Sequence, residues 1–245
     1  MKALVLGASG ATGKLVMQQL IKKNIQVRIV VRDSAIIPTQ VSDNKAIEII
    51  RGNINDFELV KIKELIKDCD TIICCLGHNL SFKGILGPPH KLVFNIVVKI
   101  IDTIESQNLN PKFILMSTTA YTNRKLGEIN TVGEKIVFSL LKFALPPHKD
   151  NMLAADYLVY KIGSQTKIEW VAVRPDSLFD EESKSNYEIY NKKIRSPIFD
   201  SGKTSRINVS DFMVELVTNE KLWDEWKHKT PVIYNKFNNE KGSVQ

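Results

Sequence analysis

The chain has 245 residues, enough for one large α/β domain or two small ones, and it is 43% apolar and 25% charged. That balance excludes a disordered chain or a coiled coil and permits a core of ordinary size. No apolar run reaches the roughly 18 residues of a membrane span, so no membrane partner is expected. A formal charge of +7 would suit an anionic ligand or nucleic acid. The lysines and arginines are scattered, however, without an aromatic-interleaved basic motif, so solvated lysines explain the charge and no nucleic acid is expected.

Strand-length apolar runs alternate with stretches of helical period, which predicts a parallel sheet flanked by helices. The first strand is Lys2–Leu6. It begins almost at the initiator Met, so no leader is expected and cytoplasm is the expected compartment. A helix follows over about 13–23, with Leu15, Val16, Gln19 and Leu20 inward, then strands at 27–31 and near 47–50. Asn55-Asp56 offers an N-cap for a helix through Ile66. The fourth strand, 70–76, is continuously apolar and should be buried on both faces.

After a Gly/Pro-rich loop, 77–89, a long helix is predicted over 91–107 and a fifth strand at 112–116. The pattern loosens over 122–149, where the stripe Val132, Ile136, Val137, Leu140 and Leu141 is expected to be core or lid. A helix over about 150–163, a sixth strand at 168–173, a helix from near Asp211 and a short strand at 232–234 complete the reading. It is an α/β doubly wound parallel sheet, a Rossmann fold, in one domain over 1–245, with 177–245 as a small C-terminal cap.

Three cysteines, Cys69, Cys74 and Cys75, lack disulfide and zinc spacing, and no metal site is expected. Core packing is the favoured reading, with a redox role as the alternative.

The segment Gly7-Ala8-Ser9-Gly10-Ala11-Thr12-Gly13 joins a buried strand to a helix. Gly7 permits a tight turn, Gly10 lets a diphosphate approach the backbone, and Gly13 lets the helix pack on the strand. Free N–H groups at Ala11, Thr12 and Gly13 would face the phosphates, and Ser9 and Thr12 add hydroxyls. The flanking strand, helix and second strand supply the context this motif requires; a purely structural glycine turn is the alternative. At the end of the second strand, Arg32 suits the 2′-phosphate of NADP and Asp33 the ribose hydroxyl of NAD. Arg32 comes first after the strand, so NADP is favoured over NAD. A solvent-facing Arg–Asp pair would leave the choice open.

Together GASGATG (7–13), VRD (31–33), GNIND (52–56), ICCLG (73–77), ILMST (114–118) and VAVRPDSLF (171–179) resemble the atypical short-chain dehydrogenase/reductase superfamily, in its NAD(P)H-binding or NmrA-like branch. The resemblance runs along nearly the whole chain, through SGKTSRINVSDFMVEL (201–216). It implies that Asn53 and Ile54 flank the adenine and that Leu76 and Gly77 border a ribose. It also implies that Ser117 and Thr118 lie beside the nicotinamide, and that Pro175, Ser177 and Leu178 close over that end.

Catalytic members of that superfamily carry Ser, Tyr and Lys, with Tyr and Lys four apart on one helix. Tyr157 and Lys161 have the spacing but lie more than two turns past the expected position, where His148 and Met152 stand. Ser117 is the candidate carbonyl hydrogen-bond donor, with a hydroxyl that holds a backbone turn as the alternative, and His148 and His78 are the candidate proton donors. For His148, a plain solvent-exposed side chain is the alternative. The resulting expectation is an NADP(H)-dependent oxidoreductase acting on a small carbonyl, quinone or flavin-like acceptor, as a monomer or homodimer. The alternative is a non-catalytic NADP(H) sensor that regulates a protein partner; a nucleotide-sugar epimerase or dehydratase is disfavoured by the short C-terminal portion.

Overall fold

The computed structural model describes residues 1–77, 90–144 and 146–236, with the backbone alone for 141–144 and 146–148. The elements run β1 (Lys2–Leu6), α1 (Ala11–Lys22), β2 (Gln26–Val31), the single turn α2 (Thr39–Ser42), β3 (Ile47–Arg51), α3 (Leu59–Ile66) and β4 (Thr71–Cys74). Next come α4 (Leu92–Ser106), β5 (Lys112–Met116), α5 (Val132–Ala144) and α6 (Pro146–Asp156), which widens into a π-helical turn over Tyr157–Ile162. The rest is β6 (Trp170–Pro175), β7 (Ser177–Phe179), β8 (Tyr187–Tyr190), β9 (Lys203–Ser205), α7 (Arg206–Thr218), α8 (Glu220–Trp226) and β10 (Val232–Asn235).

The main sheet has the order β3-β2-β1-β4-β5-β6-β10-β8, and β7 pairs with β9 in a second, two-stranded sheet. All pairings from β3 through β10 in the main sheet are parallel, and β8 alone runs antiparallel at the edge. This is the doubly wound Rossmann arrangement. The order reverses between β1 and β4, which opens a crevice at the carboxyl ends of those strands.

Strand periodicity explains the two-sided core. Leu4 and Leu6 of β1, with Ile72 and Cys74 of β4, pack against Ile96, Val97 and Ile100 of α4. Their neighbours Ala3, Val5, Ile73 and Cys75 face the other way, onto Val16 and Leu20 of α1 and Phe212 and Met213 of α7. Gln19 ties α1 to α7 by donating to Ser210 Oγ at 2.7 Å. All three cysteines are buried free thiols; burial pushes Cys69 up to about 11 and Cys74 to about 12. Thiols held protonated in this way behave as packing groups.

Several boundaries differ from the sequence reading for local reasons. Asn53, not Asn55-Asp56, supplies the cap: its side chain accepts from Asn55 N over a 3-10 turn at Ile54–Asp56, and α3 begins later, at Leu59. The last long helix begins at Arg206 because Ser205 Oγ accepts from Asn208 N. Of the stripe expected on α5, Val132, Ile136 and Leu140 are not core, at 74%, 58% and 65% exposed, Val137 is half-buried, and the side chain of Leu141 lies outside the described residues. The inward face carries Glu134 and Phe138 instead, four residues apart. Among the described residues, no helix is long and apolar enough to cross a membrane.

Candidate functional site

The turn from β1 into α1 is shaped by glycine for steric reasons visible at each position. Gly7 has φ +79°, and a Cβ there would lie 2.6 Å from Cys75 O. A Cβ on Gly13 would meet Gly7 O at 2.2 Å. At Gly10 the nearest atom to such a Cβ is again Gly7 O, at 3.2 Å, so its outer side is open. Gly10 is also the N-cap of α1, and no side chain caps the helix. The amides of its first turn are therefore available to a diphosphate, and Gly10 and Ala11 are exposed beside Ser9. Thr12 is buried under the turn.

At the adenosine end, β2 stops at Val31 and Arg32 is exposed. Asn53 uses its carboxamide within its own turn, donating to Asp56 Oδ2 at 2.9 Å. Ile54 is buried in the core, with Leu76 packed at its margin. Gly77 is exposed, and a Cβ there would have open space around it.

At the far end of the crevice the segment after β5 runs beside the end of β6. Ser117 N donates to Val173 O at 2.7 Å and Thr119 N to Pro175 O at 3.1 Å. These bonds fix the backbone, and among the described residues the buried Ser117 hydroxyl has no hydrogen-bond partner. Ser117 lines a cleft of about 370 Å³ whose apolar walls include Met116, Phe138, Pro175, Leu178, Pro197 and Ile198. Thr118 and Ser177 line the same cleft, as do three polar residues the sequence reading missed: Thr119, Asn151 and Asp176. Among the described residues, Asn151 Oδ1 is likewise buried without a partner.

Asn151 is placed by its neighbour. The fully buried Asp150 accepts from Val93 N at 2.7 Å and Phe94 N at 2.9 Å, capping α4 from the outside and locking α6 against it. Asp176 is anchored by the amides of Ser177 and Gly202, both at 2.9 Å. Burial pushes its carboxyl above the ordinary value against those donors.

Arg174, in the RPD segment, is structural. Its guanidinium is fully buried and bonds Glu128 Oε2 at 2.8 Å, Thr230 O at 2.7 Å and Tyr121 O at 3.2 Å. That clamp holds the segment between β5 and α5, and hence one wall of the cleft.

Tyr157 is not among the cleft residues. Its hydroxyl donates to Asp102 Oδ1 of α4 at 3.1 Å, and burial followed by Asp102 raises its pKa. A tyrosine that must give up its proton near neutrality needs the opposite shift. Lys161 is exposed in the π-helical turn. His148 has its backbone in the first turn of α6, and its side chain lies outside the described residues, as does all of His78. Among the described residues, no group of three His, Cys, Asp or Glu side chains could hold a metal ion.

A doubly wound sheet, a glycine turn at its switch point and an uncapped helix N-terminus define a dinucleotide-binding α/β protein. The comparisons with known proteins give the class its family: residues 7–220 match the NAD(P)H-binding family model, and the chain belongs to that family.

An uncharacterised chloroplastic protein of Arabidopsis thaliana is 29% identical over 129 residues, 52% of this chain. The chain spans less than half of that relative's length, 45%. Among solved structures, the oxidoreductase ylbE of Lactococcus lactis superposes with a TM-score of 0.68 at 20% identity, over 96% of this chain and 91% of that one. A short-chain dehydrogenase/reductase of Veillonella parvula in complex with NADP gives 0.67 at 13%, over 96% and 94%. A candidate NADH-flavin reductase of Streptococcus pneumoniae gives 0.69 at 17%, over 96% and 100%. At these identities the structures establish the shared fold.

Proposed function

We propose that the chain is an NADPH-dependent reductase of the NmrA-like branch, acting on a small uncharged carbonyl, quinone or flavin-type acceptor. The observation that carries this reading is that Ser117 and Asn151 line one cleft and that Ser117 Oγ and Asn151 Oδ1 are buried with no hydrogen-bond partner among the described residues. Buried polar groups in a folded protein are almost always hydrogen-bonded, so two orphans in one cleft favour a ligand that completes them. Bound NADPH would supply a hydride, and the chain's part is to bind, orient and exclude water.

In this reading Gly7, Gly10 and Gly13 shape the diphosphate cradle, with Ser9, Ala11 and Thr12 at the helix start, and Arg32 takes the 2′-phosphate. Ser117 would donate to the acceptor's carbonyl oxygen, with Pro175, Ser177 and Leu178 closing the nicotinamide end. Among the described residues, no Lys, Arg or His lines the cleft, and one carboxyl, Asp176, does. An anionic acceptor would lose its hydration there without gaining a counter-charge. An NADP complex and a candidate flavin reductase among the structural neighbours fit the same choice of cofactor and acceptor.

The engagement of Tyr157 by Asp102 favours a second reading, a cofactor sensor without turnover, because it keeps that tyrosine from standing in for the proton donor missing at its usual position. An NADPH-oxidation screen across quinones, flavins and aldehydes separates the two. Turnover that falls at least tenfold in Ser117→Ala supports the reductase. Saturable NADPH binding with no turnover on any acceptor supports the sensor.

A further inference from the structure

The β2–β3 register sets Arg51, the last residue of β3, directly beside Val31, the last residue of β2. Arg32 is the next residue on, so two arginines stand at neighbouring strand ends on the carboxyl side of the sheet. Their relation is closer than register alone. Ala35 N donates to Arg32 O at 2.9 Å, closing a turn over 32–35. Arg51 reaches across that turn, its Nη1 donating to Asp33 O at 3.2 Å and Ala35 O at 3.4 Å.

The remaining N–H groups of Arg51 and the whole guanidinium of Arg32 have no carboxylate partner among the described residues. Elsewhere Arg195 pairs with Asp200 at 2.7 Å and Arg206 with Asp180 at 3.0 Å. A doubly charged anion at this corner would be attracted by both guanidinium groups. A planar fork already held through one nitrogen also loses little freedom when its other donors engage a phosphate.

We infer that Arg51 is a second ligand of a ribose 2′-phosphomonoester, forming with Arg32 a two-arginine clamp that selects NADPH over NADH. The inference rests on the proposed NADPH reading and assigns a residue to it that the sequence pattern did not. NADH presents a hydroxyl at that position, so Arg51 contributes to NADPH binding and almost nothing to NADH binding.

Calorimetric titration of the full chain with NADPH, NADH, 2′,5′-ADP and 5′-ADP tests it, in wild type, Arg51→Gln, Arg51→Lys and Arg32→Ala. Arg51→Gln should weaken NADPH and 2′,5′-ADP at least tenfold and leave NADH and 5′-ADP within about twofold, with Arg51→Lys intermediate. Ligand-free thermal unfolding of each variant separates a lost contact from a lost fold.

Equal weakening of NADH and NADPH in Arg51→Gln would show that Arg51 only braces the turn, and would overturn the clamp. So would an unchanged NADPH affinity. If Arg32→Ala abolishes a wild-type preference for NADPH while Arg51→Gln keeps it, the clamp fails and the NADPH reading stands. A wild type that prefers NADH overturns both.

Discussion

Gly10 and Gly13 lie three residues apart in one turn, yet a methyl group added to each should do different things. At Gly13 it collides with Gly7 backbone at 2.2 Å, so Gly13→Ala should cost about 1–3 kcal/mol of stability together with cofactor binding. Gly10 has φ −80° and a nearest contact of 3.2 Å. Gly10→Ala should therefore melt close to wild type while NADPH affinity falls tenfold or more; thermal unfolding and a fluorescence titration read the two effects. These glycines were legible in the sequence because the steric demand falls on single positions in a fixed strand–turn–helix context. Asn151 and Asp176 were not. Each acquires its meaning from partners far along the chain, Asp176 from Gly202 and Asn151 from the packing of α6 on α4, and no spacing encodes either.

Between α4 and α6 the decisive contact is the Asp150 carboxylate on the free amides of Val93 and Phe94. Asp150→Ala leaves those buried donors unpaired, and the chain should lose about 2 kcal/mol, measured by urea unfolding. Tyr157→Phe removes only an outward bond to Asp102. Any reductase turnover should survive it within about twofold, and a collapse of kcat would place Tyr157 in the chemistry after all.

Most long elements could be read from periodicity, with β1 and β5 matching to the residue. The strands β7, β8 and β9 could not be, since three or four residues carry too little alternation to distinguish them from loop. On α5 the apolar stripe misled because Val132, Ile136 and Leu140 are exposed, while the inward face is defined by Phe138 and by Glu134 bonding Ser196.

Across the whole molecule the cleft depends on a buried ion pair that joins β6, the segment after β5 and the region before β9. Burial alone would raise the Glu128 carboxyl, but Arg174 and the amides of Lys193 and Asn123 outweigh it and hold it below 4.5. A group depressed in the folded state stabilises above the ordinary carboxylate range and loses that contribution as pH falls through its lowered value. Melting temperature should therefore drop as pH falls below about 4.5. Glu128→Gln should cost about 3–5 kcal/mol at neutral pH by stranding the Arg174 charge, and should show a shallower acid slope.

On the proposed reading, the crevice beside the glycine turn binds a nicotinamide dinucleotide, NADPH before NADH. Direct titration of the purified chain with both dinucleotides tests it most plainly. Saturable binding of both, tighter for NADPH by tenfold or more and levelled by Arg32→Ala, is the predicted result. Absence of saturable binding for either dinucleotide would contradict it.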